Sequence, residues 1–233
     1  MIGENVGFLR AVRVAGPGRE FLPTSEPVDI VISDGRIADI APTGNLRPTG
    51  AVLEGEGGWL LPGLWDHHVH VLQWALAADR VPLGEVASAR DAATIMALAP
   101  ASDGRRVGSG FRDGLWSDEP SLELLDATTG GVPTYLINAD VHSVWMNTAA
   151  FRREGFEPVA SGMLVEEDAF EISRRVNAVE ADVADAAVER MARAAAARGV
   201  VGLVDLDMTW NDEPWQRRAA RGFDTLRISY GTY

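Results

Sequence analysis

The 233-residue chain contains no cysteine and no lysine, so all 21 of its basic residues are arginine. The lack of cysteine excludes disulfide bonds and thiolate metal ligands. Acidic residues outnumber basic ones by 34 to 21, and the sequence pI is about 4.7. Because an acidic surface repels phosphate backbones, we do not expect a nucleic-acid partner.

Long apolar segments are missing as well. The chain has no run of about 18 apolar residues, which argues against a membrane-spanning helix and a membrane partner. The N-terminus does not carry the basic segment and apolar core of a signal peptide. These features are typical of a cytoplasmic enzyme, which we expect to act on a small-molecule substrate.

The most informative segment is Leu60–His70, which reads Leu-Leu-Pro-Gly-Leu-Trp-Asp-His-His-Val-His. Its apolar start predicts a buried strand, and its polar end carries Asp66, His68 and His70. Alternate residues of a strand point the same way, so the side chains of His68 and His70 should share one face. Two neutral imidazoles on one face can begin a divalent-metal site. For a bare His-x-His pair, two ordinary polar residues at a strand end remain the alternative.

The first 59 residues have the pattern of a separate β module. Val28–Ser33 and Arg36–Ile40 are rich in β-branched residues, and Asp34-Gly35 lies between them. An Asp-Gly pair between two such runs is the strongest short-range signal for a type I′ hairpin. Prolines and glycines then interrupt the chain before the histidine segment.

The remaining residues alternate between predicted helices and predicted strands. Glu180–Arg198 has one apolar stripe and a glycine stop, and the buried run Val200–Val204 follows, ending at Asp205-Leu206-Asp207. A further helix is predicted over Gly84–Ala99, and further strands over Arg106–Phe111 and Val132–Asn138. This alternation is typical of an α/β fold.

The string Pro-Gly-Leu-x-Asp-x-His-x-His resembles the first-strand motif of the amidohydrolase superfamily, a group of metal-dependent hydrolases. The resemblance implies that His68 and His70 bind a divalent metal. It also implies an incomplete (β/α)8 TIM-type barrel over residues 60–233, preceded by a small β-sandwich over residues 1–59. Since a complete barrel takes about 250 residues, we expect this chain to be the N-terminal part of a larger enzyme or an incomplete gene product.

The stretch from Asp140 to Asn147 resembles the D-G-H-S-x-W-x-N segment of the amidohydrolase-3 group, which includes YtcJ-like proteins and N-substituted formamide deformylases. Val141 stands in place of the usual glycine. The resemblance implies that four residues line the substrate pocket: Asp140, His142, Trp145 and Asn147. In the alternative interpretation Asp140 caps a helix, His142 lies at the surface and Trp145 lies in the core.

Many members of this superfamily bridge two metal ions with a carboxylated lysine, which this chain cannot supply. Gly162–Glu166 is similar to the G-L-L-x-E element of the same group. That similarity implies Glu166 as a carboxylate ligand, and oxygen ligands suit zinc and manganese. The alternative is that Glu166, Glu167 and Asp168 are simply a solvated acidic run. We expect one or two zinc ions as the cofactor.

The implied chemistry is hydrolysis of a carbon–nitrogen bond, in an amide or a formamide. The metal would lower the pKa of its bound water and polarise the carbonyl. The resemblance places the general-base aspartate and two further histidine ligands beyond residue 233, so we expect the isolated chain to be nearly inactive.

Two alternatives stay open. One is a non-catalytic barrel remnant with an interaction role, whose unpaired strands would promote homo-oligomers. The other is a deaminase or cyclic-amide hydrolase on the same scaffold.

Overall fold

The computed structural model describes residues 6–16, 19, 22 and 26–232. The chain divides into two compact units, one up to Leu64 and one from Trp65 onward. The boundary expected from the sequence lies slightly earlier, between residues 59 and 60. Helices and strands alternate in the second unit, which confirms a mixed α/β fold. Within the described ranges, none of the helices has the length and apolar character needed to cross a membrane.

The described part of the N-terminal unit is a single sheet. It contains β1 (Val6–Val14), β2 (Val28–Ser33), β3 (Arg36–Pro42), β4 (Ala51–Glu54) and β5 (Trp59–Leu60). The strand order is β3-β2-β1-β4, with β5 also pairing with β1. β2 is antiparallel to β1 and β3, whereas β4 and β5 run parallel to β1. The second layer that a β-sandwich needs is therefore not confirmed by the described residues.

The predicted hairpin is present between β2 and β3. Ser33 pairs with Arg36, which leaves a two-residue turn. Asp34 and Gly35 both have positive φ, 51° and 69°. Positive φ at both central residues defines a type I′ turn, so the Asp-Gly prediction is confirmed.

The C-terminal unit carries the remaining elements. In chain order they are β6 (Leu64–Val69), α1 (Val71–Ala77), β7 (Val81–Pro82), α2 (Ala89–Leu98), β8 (Arg106–Phe111), α3 (Leu122–Thr129), β9 (Thr134–Asn138), β10 (Ser143–Met146), α4 (Thr148–Glu154), β11 (Met163–Val165), α5 (Glu166–Asn177), α6 (Ala181–Ala196), β12 (Val200–Asp205), α7 (Asp212–Ala220) and β13 (Arg227–Tyr230).

These strands form two separate sheets. One has the order β11-β10-β9-β8-β7, and the other has the order β13-β12-β6. In the five-stranded sheet, one apolar cluster packs α4 and α5 against β9 and β10, and another packs α2 and α3 against β8 and β9. The three-stranded sheet packs against α1, α6 and α7 through a third cluster.

The predicted assignment of the middle strands to the barrel needs correction. Arg106–Phe111 was expected as the second barrel strand, but the neighbour of β6 in its sheet is β12. β10 is antiparallel to both β9 and β11, and a (β/α)8 barrel contains parallel strands alone. Residues 81–165 therefore form a mixed sheet of their own between β6 and β12 in the sequence. Periodicity predicts that a segment is a strand, but not which strand it pairs with.

Both predicted long helices exist, with shorter bounds. α6 spans Ala181–Ala196, and most of its predicted stripe is buried, although Val183 is 53% exposed. α2 begins at Ala89 rather than near Gly84, because the hydroxyl of Ser88 accepts a hydrogen bond from the amide of Asp91. This N-cap sets the start of the helix.

Candidate active site

The two histidines of the motif lie together at the end of β6. The ring centroids of His68 and His70 are 5.6 Å apart, and the ring planes are inclined by 67°. Val69 between them is buried in the cluster formed with α1 and α6. Burial of Val69 on one side leaves both imidazoles on the other, where they line a cavity of about 420 Å³.

Asp205 at the end of β12 holds the start of α1 beside the histidines. Its carboxylate is fully buried and accepts hydrogen bonds from the amides of Val71 (3.3 Å) and Asp207 (3.0 Å). The indole N–H of Trp215 donates to its other oxygen at 2.8 Å. The three hydrogen bonds that this carboxylate accepts compensate for the free-energy cost of burying it.

Asp207 supports the same helix start from a second position. Its Oδ2 accepts the amide of Leu72 at 2.7 Å, and its Oδ1 lies 3.8 Å from Nδ1 of His70. The latter distance is too long for a hydrogen bond. Burial raises the pKa of Asp207 to about 6, and the neighbouring charge of Asp205 acts in the same direction. The end of β12 therefore places two carboxylates behind the histidine-bearing turn.

The opposite wall of the cavity comes from the five-stranded sheet. It includes Ser109 and Gly110 of β8 together with Ile137 and Asn138 of β9. The side chain of Asn138 is held in place, because it donates to Asp113 at 2.8 Å and accepts from the amide of Asp140 at 3.2 Å. The carboxyl ends of these parallel strands thus face the histidines across the cavity.

His142 and Glu166 are paired with each other. His142 Nδ1 lies 3.2 Å from Glu166 Oε2, and both side chains are exposed. Asp140 accepts a hydrogen bond from the amide of His142 at 2.9 Å. Of this hairpin tip, the residues that line the cavity are Ala139 and Val141, not Asp140 or His142. Substrate contact by Asp140 and His142, and metal binding by Glu166, stay predictions.

Trp145 and Asn147 are fully buried and are not part of the cavity lining. Trp145 packs in the cluster between α2, α3 and the sheet. Asn147 is the N-cap of α4, and its Oδ1 accepts a hydrogen bond from the amide of Ala150. The structure gives both residues a structural role, and their predicted contact with substrate remains untested.

The donor set fits part of a metal site. Two imidazoles at this spacing suit one divalent ion, since each can contribute one nitrogen. Over the described residues, no group of three or more histidine, aspartate or glutamate side chains lies close enough together to hold a metal. A catalytic zinc normally has three protein ligands, so His68 and His70 alone would fall one short of that number.

Two residues beside the site were not singled out by sequence analysis. Asp207 follows a buried strand in the pattern Asp-Leu-Asp, and that alternation could have indicated a paired role with Asp205. Arg80 also lines the cavity, and no local pattern marks it. It directly precedes β7, which pairs with β8 of the cavity wall.

The sequence is similar to a known protein family and to several curated proteins. Residues 52–227 match the model of a family described as "Amidohydrolase family". Protein LONG AFTER FAR-RED 3 of Arabidopsis thaliana is 25% identical over 78% of this chain and 37% of its own length. A dihydroorotase of Mycobacterium tuberculosis is 30% identical over 61% of this chain and 32% of its own length. An adenine deaminase of Deinococcus deserti is 32% identical over 49% of this chain and 21% of its own length.

A solved structure shares the fold. The crystal structure of an uncharacterised metal-dependent hydrolase from Pyrococcus horikoshii matches with a TM-score of 0.68 at 14% identity. The match covers 97% of this chain and 48% of that one. This chain thus spans about half of that structure and a smaller share of the curated relatives.

Proposed function

Because the chain belongs to the amidohydrolase family, whose model matches residues 52–227, we propose that it serves in metal-dependent hydrolysis of a carbon–nitrogen bond. The bond would belong to an amide or a formamide. The observation that carries the proposal is the pair His68 and His70, set side by side in a cavity of about 420 Å³. A cavity of this size suits a small-molecule substrate.

His68 and His70 would hold the metal, and zinc is the ion that we propose. When bound, such an ion supplies Lewis-acid chemistry, which polarises the scissile carbonyl and acidifies a water molecule. The chain itself contributes positioning. Asp205 and Asp207 fix the turn that carries His70, and carboxylates behind a metal-binding histidine typically preserve its orientation.

Zinc binding tests this assignment directly. In isothermal titration, the wild-type chain should bind zinc weakly, because His68 and His70 provide two ligands where three are usual. Replacing either residue by alanine should weaken binding by at least about tenfold. His67→Ala is the matched control, since His67 directly precedes His68 and does not line the cavity. Equal loss in all three variants, or unchanged binding without His68 and His70, would contradict the assignment.

Catalytic activity of the 233-residue chain should be low even with excess zinc. Typical enzymes turn over about 10 times per second, and we expect a kcat below about 0.1 s⁻¹ on N-formyl amides. The reason is the incomplete ligand set, which leaves the ion loosely held and poorly oriented. Release of formate, followed with and without a chelator, measures this. Rapid zinc-dependent turnover would show that the two histidines suffice.

A second candidate is hydrolysis of a cyclic amide or deamination on the same scaffold. The observation that favours it is the similarity to a dihydroorotase and to an adenine deaminase. Assays on cyclic ureides and on amidines, compared with linear formamides under the same metal conditions, separate the candidates. Turnover of one class alone identifies the reaction.

A further inference from the structure

Arg80 places a positive charge that has no ion-pair partner among the described residues in the wall of the histidine cavity. The described lining contains this one arginine and one carboxylate, that of Asp66. Arg80 is half-buried and forms no ion pair with any carboxylate in the described ranges. The acid next to it in the chain, Asp79, pairs with Arg190 instead.

The charge persists at neutral pH. Burial lowers the pKa of Arg80 to about 10, and the nearby charge of Arg105 acts in the same direction. A guanidinium with this pKa is still protonated at pH 7. Its protein partner is the amide oxygen of Asn177 at the end of α5, which satisfies a donor but supplies no negative charge. A partly buried cation that forms no ion pair favours an anionic ligand.

Further unused hydrogen-bonding groups lie in the same lining. The side-chain amide of Gln73 and the hydroxyl of Ser109 have no hydrogen-bond partner in the part of the chain that the structure describes. Each can donate a hydrogen bond to an oxygen. Together with Arg80 they provide the donors that a carboxylate accepts, and the planar guanidinium matches a carboxylate in a two-bond arrangement.

We propose that Arg80 binds the carboxylate of the substrate, so that the substrate class is a small amide that carries a carboxylate apart from the scissile bond. This inference rests on the proposed function, because it places the scissile group at His68 and His70. The inference adds that Arg80 recognises the negative charge of the substrate, a preference that His68 and His70 do not explain.

Binding of two matched probes in the presence of a chelator tests the inference without turnover. N-formylglycine carries a carboxylate, and N-formylglycinamide replaces it by a neutral amide of similar shape. The wild-type chain should bind N-formylglycine about tenfold more tightly, because a charge-assisted hydrogen bond replaces a neutral one. Equal dissociation constants in the wild type would overturn the inference, whatever the outcome of the zinc and activity assays.

Three variants assign the preference to Arg80. Arg80→Gln should abolish it. Asn177→Asp keeps the shape of the Asn177 side chain and gives Arg80 an internal counter-charge, so it should also abolish the preference even if Arg80→Gln fails to fold. Arg105→Gln is the control, since Arg105 bonds to the carbonyl oxygen of Val176 but does not line the cavity. A preference that survives Asn177→Asp, or that Arg105→Gln removes equally, would overturn the assignment.

Discussion

Replacing Asn147 by alanine is expected to lower the free energy of unfolding by about 3–4 kcal/mol. The Asn147 side-chain amide is fully buried and joins the end of α3, the start of β9 and the start of α4. Its Nδ2 donates to Thr129 Oγ1 and to the carbonyl oxygens of Gly130 and Val132. Its Oδ1 accepts from two backbone amides. Truncation leaves several of these buried groups without a partner, and each costs about 1–3 kcal/mol.

Urea denaturation of the variant measures this loss. Asn147→Asp keeps the two acceptor contacts and removes the donors, so it should also destabilise. Asn45→Ala is the control, because Asn45 is exposed and its replacement should change stability by less than about 0.5 kcal/mol. If the free energy of unfolding of Asn147→Ala lies within about 1 kcal/mol of the wild-type value, the proposed structural role is wrong. The result would then favour the predicted contact of Asn147 with substrate.

Replacing Asp185 by alanine is expected to lower the free energy of unfolding by about 3–5 kcal/mol. Asp185 on α6 is nearly buried and binds three arginines of the α7 region. Arg217 donates to both of its oxygens at 2.9 Å, Arg218 donates at 2.9 Å, and Arg221 donates at 3.2 Å. Arg218 is buried at 6% exposure. Without Asp185 the buried guanidinium would lose its hydrogen-bonded carboxylate, which is the costly way to break such a pair.

The acid dependence of this contribution has a definite sign. Burial alone would raise the pKa of Asp185, but hydrogen bonds from Arg217 and Arg218 outweigh it and lower the pKa below its ordinary value. The stabilisation is therefore present above the ordinary aspartate pKa of about 3.9 and is lost as the pH falls through the lowered value. The stability difference between wild type and Asp185→Ala should shrink below about pH 4.

Asp182→Ala is the matched control for Asp185. Asp182 is 82% exposed and pairs with Arg221 at 2.7 Å, so its removal should cost less than about 1 kcal/mol. Thermal unfolding at pH 7 and at pH 3 measures both variants. A loss of similar size in the two variants, or a difference that does not depend on pH, would contradict the argument.

The Asp185 cluster also bears on the candidate site. The guanidinium carbon of Arg218 lies 4.6 Å from the centre of the Trp215 ring. Trp215 in turn donates to Asp205, which caps the start of α1 beside His70. Through this series of contacts α6 and α7 support the histidine-bearing turn. Asp185→Ala should therefore weaken zinc binding as well as stability.

Local sequence was sufficient for the features that depend on a few adjacent residues. The Asp34-Gly35 turn, the placement of His68 and His70 on one face, and the body of α6 all follow from short-range geometry. Each arises from backbone preferences or from the period of two in a strand and 3.6 in a helix. The family resemblance, carried by the histidine string, is confirmed by the family match over residues 52–227.

Strand pairing lay outside the reach of the sequence. β8 and β12 were both predicted as strands, yet in the described part of the chain β6 pairs with β12 and β8 belongs to the other sheet. β6 (Leu64–Val69) and β12 (Val200–Asp205) lie far apart along the chain, so their pairing depends on contacts that no local pattern contains. Packing also decided that Trp145 and Asn147 are buried and that Glu166 pairs with His142.

The sequence by itself determined which chemical groups are available: two imidazoles on one strand, no thiolate, no lysine and an excess of acidic over basic residues. Tertiary structure decided which groups meet. It brought Asp205 and Asp207 behind His70, and it placed Arg80 in the histidine cavity. The physical reason is that residue type and local period are properties of neighbouring residues. A cavity is instead formed by side chains from distant segments, which come together only when apolar faces are buried.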